Sequence, residues 1–440
     1  MTEKWVLLCI IAVFNASSVF ASGFAVFTQG TSALGQANAA VAHPTGASSL
    51  YFNPALLNEL EGNQIEVGTT GVFADRSIEL DSGNSEDSVD EWNYPSNVYW
   101  TRNASDRLAY GLGIFFPFGL SSEWDEDYEG RYLGTYGDIL TIDINPAVSY
   151  RVTDALTVAA GFNALYLKAT LQKKINQTAA YTLTDLILSG GTGGVLPALS
   201  MPLEDIDQNF EGDGWGYGYN IGILYKLSDR IQFGAAYRSH VDIVVDGTAE
   251  FSNVTPVLES SFSNTGGEAD IRLPAQATAA VFFQLSDRFS VETGVRWEDW
   301  SSTDELKVNL DAEVFGQTSD ITPRDWQATW TYNIGGQYRL TEAWAVNAGY
   351  LYGENAVPNT TFEPQVPDTD AHLFTLGAEW RNTSWSVATA VGYEYHESRH
   401  KKNSQGDPLE TALTGSPSGT ANGKYESTLY LVSLSIGYRF

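Results

Sequence analysis

Leu227-Ser228-Asp229-Arg230 and Leu285-Ser286-Asp287-Arg288 are two copies of one short turn, and four variants of it recur along the chain. The variants read Ala104-Ser105-Asp106-Arg107, Val152-Thr153-Asp154-Ala155, Leu340-Thr341-Glu342-Ala343 and Arg381-Asn382-Thr383-Ser384. Each lies between two segments in which apolar and polar residues alternate. Ser, Thr, Asp and Asn close tight turns by hydrogen-bonding their own backbone, and a period of two marks strands with unlike faces. Between successive short turns come a strand, a long polar loop and another strand. Short turns at one rim and long loops at the other are the mark of an up-and-down membrane barrel. Six short turns alternating with seven long loops predict an all-β, antiparallel barrel of fourteen strands, with both chain ends of the barrel on the short-turn side.

Composition fits a barrel better than a soluble core. The chain has 440 residues, of which 43% are hydrophobic, and its mean hydropathy is only -0.18. Beyond the first twenty-odd residues no run is long and apolar enough for a membrane helix. A barrel hides its lipid-facing surface in alternation. The 12 Trp and 23 Tyr suit aromatic girdles at the two membrane interfaces.

Residues 1–21 read as a signal peptide: Lys4 is a weak positive end, Trp5 to Phe14 an apolar run, and Val19-Phe20-Ala21 a small-residue cleavage site. The single cysteine, Cys9, falls inside it. A mature chain without thiols excludes disulfide and thiolate chemistry. The formal charge of -30 excludes nucleic acid, whose phosphates demand Lys and Arg. The acids crowd into Asp81 to Glu91, Glu123 to Glu129 and Glu204 to Asp213. Two readings stand: solvated loops, or carboxylates that bridge divalent cations to lipopolysaccharide.

The strands are predicted near 64–74, 92–102, 107–117, 139–151, 155–174, 215–227, 230–246, 271–285, 288–300, 325–340, 343–353, 370–381, 384–398 and 425–440. In the last, Tyr430, Val432, Leu434, Ile436, Tyr438 and Phe440 share one face, with Ser433, Ser435 and Arg439 on the other. Alternation sends the first set into lipid. Residues 22–63 lack the pattern. They are rich in Gly, Ala and Ser and precede the barrel, 64–440. A large polar lumen leaks unless filled, so 22–63 is expected to be a hatch, or plug, inside it. The alternative is a disordered tail, against which Phe24, Val26, Phe27, Leu34 and Leu50 argue.

Several tracts resemble FadL/TodX-type outer-membrane transporters of fatty acids and other hydrophobic compounds. They are Gly23-Phe24, Ser32-Ala33-Leu34-Gly35, Asn53-Pro54-Ala55-Leu56, Phe116-Pro117-Phe118-Gly119-Leu120, Gly130-Arg131-Tyr132, Asn145-Pro146 and Gly214-Trp215-Gly216-Tyr217-Gly218. Phe440 at the chain end, two residues after Tyr438, resembles the terminal aromatic read by outer-membrane insertion machinery. The resemblance implies location in the bacterial outer membrane, a monomer without cofactors, and an N-terminal hatch. It further implies capture of a hydrophobic ligand at extracellular loops and lateral exit through the wall at a kinked third strand. Asn53 and Pro54 fall in the hatch tract and are assigned with Pro117, Phe118 and Gly119 to the gate. Proline cannot donate to a ladder, so Pro117 either terminates the third strand or opens a gap beside it. Phe24, at the hatch tip, is expected to enter the lumenal pocket and touch the ligand.

The loop from about 175 to 214 is unusually apolar; Leu186, Ile187 and Leu196 are expected to line a capture groove, with Thr184 to Leu188 as a helical turn, or else to form a mini-core. In the fifth strand Leu165, Leu167, Ala169 and Leu171 are expected to face lipid. That would turn Tyr166 and Lys168 inward, where Lys168 meets a ligand carboxylate or a lumenal acid such as Glu292 or Glu394. A second basic site of the family would fall in Trp326-Gln327-Ala328-Thr329-Trp330-Thr331. Gln327 and Thr331 have lost the charges there, which favours a neutral hydrocarbon or aromatic. His240, His372, His396 and His400 have no nucleophile or acid at informative spacing, so no enzyme is predicted; nor is a metal cluster. A general diffusion porin is the remaining rival, separable by steady conductance.

Overall fold

The structure, a computed structural model, describes residues 23–89 and 92–440; the signal-peptide expectation lies outside them. Fourteen antiparallel strands close on themselves. They are β1 (Asn63–Leu80), β2 (Ser96–Asn103), β3 (Leu108–Phe115, resuming as Gly119–Glu123), β4 (Tyr136–Arg151), β5 (Leu156–Ile175) and β6 (Ile206–Ser228). The wall continues through β7 (Ile231–Arg238 and Val241–Ser252), β8 (Thr265–Leu273 and Gln276–Gln284), β9 (Phe289–Glu298 and Glu305–Val314) and β10 (Gln317–Pro323 and Thr329–Arg339). It ends in β11 (Trp344–Gly353), β12 (Ala371–Arg381), β13 (Trp385–His396) and β14 (Gly423–Arg439). Each strand pairs with the next, and β14 pairs back onto β1 from Gln64–Arg439 to Leu80–Gly423.

The short turns form as their chemistry dictates. The Ser105, Thr153, Ser228, Ser286 and Thr341 hydroxyls accept from the backbone N–H three residues on, at 3.0–3.2 Å. Asn382 does the same for Trp385 at 2.7 Å. On β14 the outward set Tyr430, Val432, Leu434, Ile436, Tyr438 and Phe440 is exposed, while Leu429, Leu431, Ser433 and Ser435 are buried.

Several strands outrun their predicted bounds. β6 begins at Ile206, not 215, and is 23 residues long, about twice the 9–11 residues that cross a bilayer. Asp207, Asn209, Glu211 and Asp213 read as loop because they are polar, but beyond the membrane a strand faces water and carries polar residues freely. β9 and β10 likewise extend, after breaks, into an outer sheet joining Glu305–Val314 to Gln317–Pro323.

Residues 23–62 are mostly buried and bond to strands from all around the wall. Thr31 Oγ1 lies 2.8 Å from Ser433 Oγ, Asn333 donates to the Ala37 carbonyl at 3.0 Å, and Tyr99 donates to the Gln29 carbonyl at 2.7 Å. The Glu292 carboxylate, fully buried, accepts from Val41 N at 2.6 Å, from Ala42 N at 3.0 Å, and lies 2.7 Å from His43 Nδ1. A buried carboxylate is stable only when fully hydrogen-bonded, and these three contacts clamp the segment to β9.

Candidate functional site

Two apolar cavities meet in the outer half of the molecule. The outer one, of about 200 Å³, is lined by Phe210, Phe251, Phe262, Leu306, Leu310 and Leu409 among others. The inner one, of about 110 Å³, is lined by Phe24, Leu120, Ile139, Ala169 and Trp326 among others. Leu171, Phe210, Leu306 and Gln365 line both, which makes them one route. A lumen this apolar inverts the usual barrel rule, because inward positions here are greasy.

At the inner end Phe24 packs edge-on against Trp300, Trp326 and Phe118, with centroids 4.7, 5.9 and 6.1 Å away. The cluster sits on the break in β3. The ladder from β3 to β4 stops at Phe115–Asp143 and resumes at Gly119–Leu140, and the ladder to β2 ends at Ile114–Val98. Pro117 therefore interrupts the strand, which continues beyond it. The N-terminal segment occupies the inner side of the break: Val26 N donates to the Pro117 carbonyl and Gly119 N to the Phe24 carbonyl, both at 2.9 Å. Gln29 adds a bond to the Phe116 carbonyl.

Gly23 fixes this arrangement. Its φ is +67°, and a Cβ there would lie 2.6 Å from the Trp300 ring. Its N–H donates to buried Asp368 at 2.9 Å. Gly23→Ala should displace Phe24, combining a clash with a left-handed strain of about 1–3 kcal/mol. We expect faster proteolysis at the N-terminal segment in the folded barrel; wild-type protection would refute the constraint.

The remaining expected site residues are distributed differently. Asn53 is buried, but it anchors the segment to β6 rather than to the break, donating to the Ile223 carbonyl at 3.0 Å and to the Val41 carbonyl at 2.8 Å; its side chain also caps the short helix that Pro54 opens, accepting from Ala55 N. Lys168 and Tyr166 point outward. Leu165, Leu167 and Ala169 are the inward residues, packed with Phe24 and Trp326 in one core. Lys168 pairs with Glu211 at 2.5 Å, not with Glu292 or Glu394, and Tyr166 packs on Trp215. The expected faces of β5 are thus reversed. Lys168→Met should leave uptake within about twofold of wild type, a change of under 1 kcal/mol for an exposed pair; a tenfold loss would restore an inward role.

Gln327 is exposed and does not line either cavity. Thr331 is buried beside the polar inner lumen, with Asn333 and Arg296. The predicted helical turn is a full helix, Gln177–Leu188, N-capped by Asn176. Its packed face is Ala180 and Tyr181, joined by Leu196, Phe262 and Val314 in a mini-core. Leu186, Ile187 and Leu196 do not line the groove; Ile187 is 74% exposed. Asp185 holds the loop tip by accepting from Leu196, Val195 and Gly194, and the Leu196 N–H, with the others, keeps its carboxyl below the usual carboxylate range. That stabilisation is complete above the ordinary carboxylate pKa and is lost as pH falls through the lowered one.

Sequence reading missed Arg324. It lines the inner cavity and pairs with buried Glu363. Its position just after Pro323, where the β10 ladder breaks, is the only signal in the sequence. The other basic residues lining the two cavities are also paired: Lys173 with Asp320 at 2.8 Å, Lys174 with Asp207 and Glu126 at 2.5 and 2.6 Å, and Arg272 with Asp242 at 2.5 Å.

Residues 12–440 match the family described as outer membrane protein transport protein (OMPP1/FadL/TodX). The chain belongs to this family of outer-membrane transport proteins. It is 24% identical to the long-chain fatty acid transport protein of Escherichia coli O6:H1, across 91% of this chain and 92% of that one. A FadL homologue of Pseudomonas aeruginosa superposes with a TM-score of 0.82 at 22% identity, covering 95% of this chain and all of that one. The toluene transporter TodX of P. putida gives 0.69 at 18%, covering 93% and 98%. The expected barrel, family and outer-membrane location therefore stand, and the family is one of transporters, not enzymes.

Proposed function

We propose that this barrel takes up uncharged hydrophobic molecules, capturing them in the outer cavity, holding them in the inner one and releasing them sideways at the β3 break. The observation that carries the reading is the continuous apolar route, which starts at the loops and ends on Phe24 against Pro117–Gly119. The path straight down is unsuited to such a ligand. It meets residues 23–62, acting as a plug, and buried ion pairs such as Arg238–Asp143 and Arg296–Glu298. Displacing such pairs is costly in a low dielectric. The pairing of all four basic residues along the route supports a neutral ligand over a fatty-acid carboxylate. The chain works as a monomer, delivered to the membrane by the insertion machinery that reads Phe440, with its acidic loops among lipopolysaccharide headgroups.

Ala25 and Phe118 face each other as bridge partners, and Cys9 is the only natural cysteine. Ala25→Cys with Phe118→Cys should therefore form one disulfide that staples the plug to the break. In liposomes the oxidised protein should transport at least about tenfold more slowly than the reduced one, an added barrier of about 1.4 kcal/mol. Equal rates in both states would place the exit elsewhere.

A further inference from the structure

The inner cavity holds polar atoms that its apolar ligand, as just proposed, would not use. Trp326 lines the cavity, is 4% exposed, and its indole N–H has no partner among the described residues. Thr303 lines it too, and its buried hydroxyl is likewise unpartnered. Behind them Trp300, fully buried and 5.2 Å from Trp326 between ring centroids, carries a second unpartnered indole N–H. An indole nitrogen only donates. Leaving a buried donor unmade costs more than its bond returns, and a phenylalanine would fill the same wall without that cost.

The charge around these donors restricts what meets them. Arg324, stacked 5.6 Å from the Trp326 ring, is already neutralised by Glu363. A carboxylate entering here would find no free cation and would lie beside the Glu363 negative charge. A plain hydrocarbon would leave the donors unmet. An uncharged oxygen that accepts a hydrogen bond satisfies both conditions.

We infer that the inner cavity selects hydrophobic molecules carrying a neutral acceptor oxygen — ketones, esters or alcohols — read by Trp326 and Thr303. This rests on the reading of the cavity as the ligand site and narrows its substrate class.

The test is equilibrium binding of octane, 2-octanone and octanoate to the purified, folded barrel, with the two neutral affinities referenced to transfer from hexadecane. That reference cancels the escape from water common to both. 2-Octanone should bind about tenfold tighter than octane on this scale, and Trp326→Phe should remove most of that ratio, the octane affinity of the same variant serving as its reference. Thr303→Val, nearly isosteric, guards against misfolding of the tryptophan variant and should lower 2-octanone affinity a few-fold. Equal binding of octane and 2-octanone, or a ratio unmoved by both variants, overturns the inference while leaving the transport route intact. Octanoate binding tightest would overturn the uncharged ligand itself. Failure of all three to bind would remove the cavity as a ligand site, and the inference with it.

Discussion

Glu363→Gln should turn the inner cavity into a carboxylate site. In the native protein the Arg324 guanidinium is buried and already satisfied by Glu363. Removing the negative charge while keeping an amide acceptor frees the cation without leaving it bare. A charge-assisted hydrogen bond to a ligand carboxylate is worth about 1.5–3 kcal/mol, or about ten- to a hundredfold in affinity. Dodecanoate should gain by that factor, and dodecane should not change. The barrel should also unfold at lower temperature, because removing one member of a buried pair costs about 3–5 kcal/mol before the amide compensates. Unchanged dodecanoate affinity would mean that the cation is out of reach of the bound chain.

With residues 23–62 acting as the proposed plug, Glu292→Leu should turn the barrel into a conducting one. It removes the acceptor for Val41 N, Ala42 N and His43 at once. Each buried N–H left unmade costs about 1–3 kcal/mol. The two backbone groups alone give at least about 2 kcal/mol, a rise of roughly thirtyfold in the released population. Planar-bilayer recordings should show steady current where the native protein is nearly silent. Cells carrying the variant should become sensitive to large hydrophilic antibiotics. A silent variant would show that the remaining anchors, Asn53 and Thr31 among them, hold the segment unaided.

The wall was legible because its signals are local and redundant. A Ser or Thr hydroxyl fixes each of five short turns within four residues, and β14 shows its two faces without ambiguity. β5 misled because the polar-inward rule assumes a wet lumen. Asn163 is buried and its neighbour Phe162 exposed, so the parity was present in the sequence. From Ala164 to Ala169, however, the inward side faces an apolar cavity, and Lys168 became the lone polar mark on a strand greasy on both faces. The groove was misassigned for a related reason: hydrophobicity was read along one loop, whereas Phe251, Phe262, Leu310 and Leu409 come from separate segments. Pro117 and Phe24, which lie together at the break in β3, could be singled out because proline chemistry and the family-like Gly23-Phe24 tract each leave a local trace. Arg324 leaves only its place after Pro323 and Glu363 leaves none, since their partnership exists only once the chain has folded.

The last strand is also the seam. Phe440 donates to the Asn63 carbonyl at 3.0 Å and accepts from Asn63 N, so the wall joins its first residues to its final ones. Contacts this distant in sequence form slowly. Before that zip closes, the sheet is an open ribbon with two raw edges, each able to pair with a foreign strand. Residues 23–62 touch both sides of the future seam, through Thr31 to Ser433 on β14 and through Ser48 N to Glu66 on β1. The segment thus bridges the seam from within, tying to one another the two strands that closure of the wall must bring into register.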